Sequence, residues 1–271
     1  MRTIDLVPCG GLCNRMNAIT SGLLYAEHND VDLHIYWQKN DECYAAWHEL
    51  FEPLDAPFHI EEMKSLVKLR QGCKWNFYIP NMLRGLFYDK YTTSAHSDDF
   101  DAFIGKAKSI YVASSNRFNE YCMKENLAQI FRPVKTLQDR IDRETASFGS
   151  NRVIGVHIRR TDNQKAIKAS PIEKFIEYMN QEIHANPDVK FYVASDDSRV
   201  KDMLQSRYPD KVLMTDMCLR RNCVRGMQDA VVELYVLGLT HKIVGTRTST
   251  YTLVASQLFN TRLVEIDNLF T

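Results

Sequence analysis

Two hydrophobic periods alternate along this chain. Short apolar runs, rich in β-branched and aromatic residues, recur at Ile4 to Val7, 31–37 and 109–114, then at 153–158, 189–194, 211–214, 242–245 and 262–266. The run 31-VDLHIYW-37 alternates between apolar and polar positions, the period of a strand with two unlike faces. Between these runs the apolar spacing becomes helical. Met16, Ile19, Leu23 and Leu24 mark the first helix, and further helices are predicted over 117–131, 134–146, 171–185, 197–206, 226–238 and 249–258. Strand and helix in alternation predict an α/β chain with mostly parallel sheets. The opening strand, the loop 8-PCGGLCN-14, the first helix and the strand 31–37 form a βαβ unit. Residues 41–107 are aromatic and carry no clear period.

The small and turn-forming stretch 146-ASFGSN-151 is the best linker. It divides the chain into halves at 1–148 and 149–271. Ser170, Pro171 and Glu173 spell S-P-x-E and predict a capping box at the start of the helix over 171–185. There is no internal repeat and no low-complexity tract.

Composition narrows the classes. The 271 residues are 45% hydrophobic and 25% charged, as in a globular protein, and 34 Lys plus Arg balance 34 Asp plus Glu. A zero net charge argues against nucleic acid or an anionic membrane as partner. The seven cysteines are odd in number and no C-x-x-C occurs, so neither a disulfide framework nor a zinc ribbon is indicated. Reduced thiols in a cytosolic protein are the favoured reading, with a Cys218–Cys223 pair in an oxidising compartment as the lesser one. Asp5 interrupts the N-terminal apolar run, and no stretch is apolar for long enough to span a membrane. A cytoplasmic protein is expected, with peripheral attachment at a membrane as a variant. Asp30-Val-Asp32 and Asp99-Phe-Asp101 match D-x-D, but such triplets arise often by chance and the first opens a strand.

In open α/β sheets ligands sit outside the carboxyl ends of the strands. The second half gathers polar groups there. The first strand ends in 157-HIRRTD-162, the second in Ser195, Asp196 and Asp197. Arg225 and Asp229 lie near a helix start, and Thr246, Thr248, Ser249 and Thr250 lead into the last helix. Strand period puts His157 and Arg159 on one face and Arg160 on the other. Forked guanidinium groups, hydroxyls and a helix N-terminus together suit a nucleotide diphosphate. Plainer readings stand beside this one. Arg159 and Arg160 would be a surface pair, His157 a core histidine, one of Asp196 and Asp197 a helix cap, and the 246–250 cluster another cap. The loop 10-GGLCN-14 is equally a bare tight turn.

Taken in order, V-H-I-R-R-T-D, Y-V-A-S-D-D, R-G-x-x-x-D-x-x-x-x-L and T-x-T-S-T resemble the motifs of GDP-fucose-dependent fucosyltransferases. The relatives are the α1,6 and α1,2 enzymes, the nodulation fucosyltransferase and the protein O-fucosyltransferases. G-G-L-C-N-R-M at 10–16 is similar to their N-terminal glycine loop. The resemblance implies a GT-B fold, with two Rossmann-like domains facing across a cleft: an acceptor-side domain over 1–148 and a GDP-sugar domain over 149–271. It implies inverting transfer of L-fucose from GDP-β-L-fucose to a glycan hydroxyl, without a metal or other cofactor. Arg159 would stabilise the GDP leaving group. Arg160 and Asp162 would shape the same pocket, and Arg160 would brace its loop with Asp162. His157 and one of Asp196 or Asp197 would read guanine or ribose. Asp229, Thr248, Ser249 and Thr250 would complete the donor site, the last two on phosphate, and Asn14 would reach the donor from the first domain.

One departure stands out. The α1,6 enzymes have a candidate general base, a glutamate, just past this motif, whereas 163-NQKAIKASP-171 has no carboxylate. The base then comes from the first half, with Asp98, Asp99 and Glu120 as weak candidates, or the reaction is dissociative and needs little base help. A transferase of another nucleotide sugar and a non-catalytic nucleotide-sugar-binding protein remain the alternatives. Acceptor and oligomeric state are not written in the sequence.

Overall fold

The computed structural model describes residues 1–62, 84–93, 95, 99–121, 126–161 and 164–270. Asp98 and Asp162, with Cys73 and Cys122, lie outside the described residues. The chain forms two compact units, Met1–Val134 with Arg220–Gln228, and Lys135–Leu219 with Asp229–Thr271.

The first unit runs β1 (Arg2–Pro8), α1 (Leu12–His28), β2 (Val31–Trp37), β3 (Ile60–Glu62), α2 (Arg84–Phe87), β4 (Lys90–Thr92), α3 (Phe100–Ile104), β5 (Ser109–Ser114) and α4 (Leu127–Ile130). Its five strands pair in parallel in the order β3-β2-β1-β5-β4. β3 and β4, three residues each and largely exposed at the sheet edges, fall in the stretch 41–107 that carries no clear period. The helix expected over 117–131 shrinks to α4. Ahead of it the chain bonds to α1 instead of to its own next turn: Phe118 N–H donates to Ser21 Oγ at 2.8 Å and Asn119 Nδ2 to Ser21 O at 2.6 Å. The segment Arg220–Gln228 joins this unit through Tyr44 N–H to Arg221 O at 3.1 Å and Gln228 Nε2 to Glu49 O at 3.1 Å.

The second unit runs α5 (Lys135–Ala146), β6 (Val153–Ile158), α6 (Gln164–Ala169), α7 (Ile172–Ala185), β7 (Lys190–Ser195), α8 (Ser198–Arg207), β8 (Val212–Leu213), α9 (Val224–Gly238, counted here from Asp229), β9 (Lys242–Gly245), α10 (Thr250–Phe259) and β10 (Leu263–Glu265). α5 groups with this unit, so the units part ahead of the 146–151 stretch, which forms the turn into β6. The reason is packing: Leu137 and Ile141 of α5 are buried one turn apart, and Arg140 is ion-paired with Asp229 of α9.

The second sheet is parallel in the order β10-β9-β6-β7-β8. β6 is buried along its whole length and packs with Phe175, Met179, Phe191, Val193 and Val244. Strand order reverses beside β6, with β7 and β8 on one flank and β9 and β10 on the other. A crevice therefore opens between the carboxyl ends of β6 and β9, the place where such sheets bind ligands. In the first sheet the equivalent point lies between β1 and β5. The capping box expected at Ser170 does not form. Pro171 is the N-cap of α7 without a side-chain bond, while Ser170 Oγ donates to Asp267 Oδ1 at 3.0 Å and accepts Arg247 N–H at 3.1 Å.

Candidate active site

At the reversal in the second sheet, His157 of β6 lies level with Gly245 of β9. A side chain at Gly245 would run into Thr252, so glycine lets the first turn of α10 close onto the strand end. The chains leaving β6 and β9 then bond to each other. Thr246 N–H donates to His157 O at 3.0 Å, and Arg159 N–H donates to Thr246 Oγ1 at 3.0 Å. Arg159 is half-buried at the mouth of this crevice.

Arg160 turns the other way, as its place in the strand period predicts. Its Nη2 donates to Ser170 O at 2.9 Å and its Nη1 to Arg159 O at 3.3 Å. Asp196 holds the same loop from β7: one carboxylate oxygen accepts Arg160 N–H at 2.7 Å, the other Thr161 N–H at 3.3 Å and Thr161 Oγ1 at 2.5 Å. The observed brace of the loop is thus Asp196 with Ser170, and the expected brace, Asp162, lies outside the described residues. Asp197 is the N-cap of α8, accepting Arg199 N–H at 2.9 Å. The side-chain bond from Arg199 holds its carboxyl below the usual range. Each aspartate thus has a partner within the protein. Asp229 is buried and accepts Arg140 Nη2 at 2.5 Å and Cys218 N–H at 2.8 Å, which ties α5 and the 218 loop to α9.

The turn from β9 into α10 carries the hydroxyls. Thr248 has a φ of +54°, uncommon for a β-branched residue, and its N–H donates to Glu265 Oε1 at 3.0 Å. Ser249 is the N-cap of α10, yet its side chain caps nothing: Oγ is buried with no hydrogen-bond partner in the protein. A pocket of about 180 Å³ opens here, lined by Thr246, Thr248, Ser249, Thr250, Leu253 and Glu265 among others. Free N–H groups of a helix N-terminus and a spare hydroxyl can receive anionic oxygens.

His157 is buried behind the crevice. Its Nδ1 lies 2.7 Å from Thr252 Oγ1 and its ring stacks on Tyr251 at 5.0 Å between centroids. Burial, with further help from Arg159 and Lys201 and opposition from Asp196, pushes its pKa down to about 4. The imidazole is therefore neutral near pH 7 and acts here as a brace between β6 and α10. Tyr251 OH donates to Ala230 O at 3.0 Å and to Glu233 Oε2 at 3.3 Å, and Lys201 Nζ donates to Glu233 Oε1 at 2.6 Å. The Lys201–Glu233 pair and Tyr251 were not foreseen. The available signal was Glu233 inside the apolar run 231-VVELYVLGL-239, since a carboxylate buried there needs a partner.

In the first unit Gly10 has a φ of +80°, which glycine allows. Asn14, half-buried in the first turn of α1, lies beside it, so that a Cβ at Gly10 would come 3.0 Å from Asn14 Nδ2. Arg15 is fully buried and holds the loop, with Nε donating to Gly10 O at 2.8 Å, Nη1 to Gln38 O and Nη2 to Asn40 Oδ1 at 2.8 Å. Asp99 and Glu120, the described candidates for a base, are exposed in this unit. Among the described residues no cluster of His, Cys, Asp and Glu is arranged to hold a metal, and no helix is long and apolar enough to cross a membrane. Cys43 is buried and carries a free thiol.

A family model described as alpha-(1,6)-fucosyltransferase N- and catalytic domains matches residues 119–254, half of the chain. The chain belongs to this family. No curated protein matches it. The fucosyltransferase fold is shared with solved structures of low identity. NodZ alpha-1,6-fucosyltransferase soaked with GDP-fucose is 16% identical, with a TM-score of 0.64 over 97% of this chain and 94% of that one. A mutant of Arabidopsis thaliana FUT1 in complex with GDP is 15% identical, with a TM-score of 0.62 over 97% and 70% of the two chains. POFUT1 in complex with GDP is 11% identical, with a TM-score of 0.59 over 97% of each. This fucosyltransferase is thus a glycosyltransferase of α/β, GT-B type.

Proposed function

We propose that this fucosyltransferase moves L-fucose from GDP-β-L-fucose to a hydroxyl of a glycan acceptor, with inversion at the anomeric carbon. The likeness to NodZ soaked with GDP-fucose, and to FUT1 and POFUT1 holding GDP, supports the donor. The observation that carries the reading is Arg159, half-buried at the β6–β9 crevice with its backbone pinned to Thr246. In the transfer the acceptor oxygen bonds to C1 of fucose while the bond from C1 to the diphosphate oxygen breaks. Its electron pair leaves on GDP, and a guanidinium beside that oxygen stabilises the growing charge, which is worth most where water is excluded. Thr248, Ser249 and Thr250 would hold phosphate, and Asn14 would touch the donor. Asp196, Arg160, His157 and Asp229 would position these groups from behind.

The acceptor proton has no carboxylate to receive it in 163–169. A dissociative transition state, with the proton lost late, fits that absence, and a base from the first half is the other route. The halves 1–148 and 149–271 would serve acceptor and donor respectively. With arginine in the role a cation would otherwise fill, no metal is needed, and the enzyme would work in the cytoplasm.

Thermal-shift measurements with GDP, UDP and ADP test the donor, because a ligand bound only by the native state raises its stability by mass action. GDP is expected to give the largest shift, and a shift with UDP but not GDP would refute the fucosyl reading. Transfer from labelled GDP-fucose to a glycan array tests the reaction. Arg159→Ala should lower the rate by about 10²–10³ or more, and EDTA should leave it unchanged.

A further inference from the structure

The first unit holds a second polar centre that the donor site does not use. After β2 the chain makes a tight turn in which Asn40 and Cys43 exchange backbone hydrogen bonds. Asn40 Oδ1 accepts three N–H groups, from Arg15 Nη2 at 2.8 Å, Glu42 N at 3.1 Å and Cys43 N at 3.3 Å. Those three bonds fix which end of the amide is oxygen, so Nδ2 must face away from them. Asn40 Nδ2 is buried with no hydrogen-bond partner in the protein, and so are Gln38 Oε1 and Glu42 Oε2. Gln38 is only 4% exposed. Residues 38–42 therefore hold one donor and two acceptors that are shielded from solvent and unsatisfied.

Leaving such groups unpaired is costly, and a fold keeps them where something else pairs them. They stand at the carboxyl end of β2, beside the glycine loop that follows β1, the edge where parallel sheets take their ligands. The chemistry is wrong for a diphosphate. Two of the three groups are acceptors, one of them a carboxylate oxygen, and the nearby cation, Arg15, already spends its guanidinium on Gly10, Gln38 and Asn40 and stacks over Trp37 at 4.8 Å. Two neutral hydroxyls, each of which donates one proton and can accept, satisfy the set.

We propose that Gln38, Asn40 and Glu42 form a carbohydrate subsite of the first unit, binding hydroxyls of the acceptor sugar. The word acceptor rests on the glycosyl-transfer reading above, whereas the binding of a sugar hydroxyl does not. Arg15 is the positioning residue that ties this turn to the glycine loop.

The test is saturation-transfer NMR on the whole chain with the methyl glycosides of glucose, galactose, mannose and N-acetylglucosamine, each with and without GDP. Two variants keep the backbone contacts intact. Gln38→Met removes one unpaired acceptor at similar volume, and Glu42→Gln puts an amide where a carboxylate stood. At least one glycoside should bind the native chain, and each variant should weaken it about fivefold, the effect of one hydrogen bond. The GDP thermal shift should persist, and the melting temperature of Gln38→Met should not fall. Binding by none of the four glycosides overturns the proposal. So does equal binding by native chain and variants, loss of the GDP shift instead of the sugar, or a fall in melting temperature in both variants alongside lost binding, which marks the turn as structural. Absence of any GDP shift in the native chain counts against the donor reading, and the glycoside result still judges this subsite.

Discussion

The carboxylate of Asp196 accepts the backbone N–H of Arg160 at 2.7 Å, and through that bond β7 sets the path of the chain that carries Arg159. The same carboxylate also takes both polar groups of Thr161. Charge-assisted bonds of this kind contribute about 1.5–3 kcal/mol each, though exposure lowers the value for Thr161. Asp196→Ala should therefore slow transfer by roughly 10–100-fold without abolishing GDP binding, because the loop loses its anchor while Arg159 remains. Asp196→Asn keeps an acceptor and should stay within about tenfold of the native enzyme. Steady-state rates of the two variants decide this, and native turnover by Asp196→Ala would remove Asp196 from the positioning role.

Ser249 makes a different prediction because its buried hydroxyl has no partner in the protein. Removing an unpaired polar atom from a buried place costs little and can stabilise. Ser249→Ala should leave the melting temperature unchanged or slightly higher, yet weaken GDP about fivefold, the loss of one hydrogen bond of about 1 kcal/mol. Calorimetric titration with GDP, paired with a melting curve, separates these effects. A drop in stability with unchanged GDP affinity would mean that the hydroxyl serves the fold alone.

His157 ties the fold to pH. Its folded-state pKa is pushed down to about 4 from the ordinary 6.5, chiefly by burial. The unfolded chain then binds more protons than the native one between those values. Stability from this group is complete above about pH 6.5 and drains away as pH falls through about 4, on the order of 3 kcal/mol in all. Denaturant unfolding from pH 7 to 4 should show that decline, and His157→Gln should flatten it whatever its stability at pH 7. An equal slope in the variant would assign the acid sensitivity to other groups.

Much of this was legible in the sequence because periodicity survives wherever elements are long. β6, β7 and α7 were read near their observed bounds, and the strand-end argument led to the crevice through Arg159 and the 246–250 turn. β3 and β4 were missed because these short edge strands are largely exposed and carry no apolar run. The stretch 117–121 looked helical because its apolar spacing is real, but Ser21 of α1 captures its polar groups first. Ser170 reads as a cap by spacing, and only tertiary structure brings Asp267 and Arg247 to its hydroxyl. The cap at Asp197 was one of the two readings of Asp196 and Asp197, whereas the bonds of Asp196 to the Arg160 loop and of Asp229 to Arg140 join elements distant in sequence. A sequence lists carboxylates at strand ends and cannot say which of them the fold itself uses.

Lys201 and Glu233 carry the last prediction. Lys201 Nζ lies 2.6 Å from Glu233 Oε1, with both side chains almost wholly buried. Burial, ahead of the opposing pull of Lys201, raises the Glu233 pKa. Desolvating two ions costs nearly what their attraction returns, so the pair adds little net stability, whereas a single partner left behind is a buried charge without compensation. Lys201→Met alone should cost about 3–5 kcal/mol, while Lys201→Met with Glu233→Leu should recover most of it. The double variant, though stable, removes the carboxylate that Tyr251 OH bonds, and Tyr251 is the ring on which His157 stacks. It should therefore fold and still turn over more slowly than the native enzyme. Urea unfolding of the native chain, both single variants and the double variant gives the coupling energy. A double variant with native stability and native turnover would reduce this network to an interchangeable piece of core.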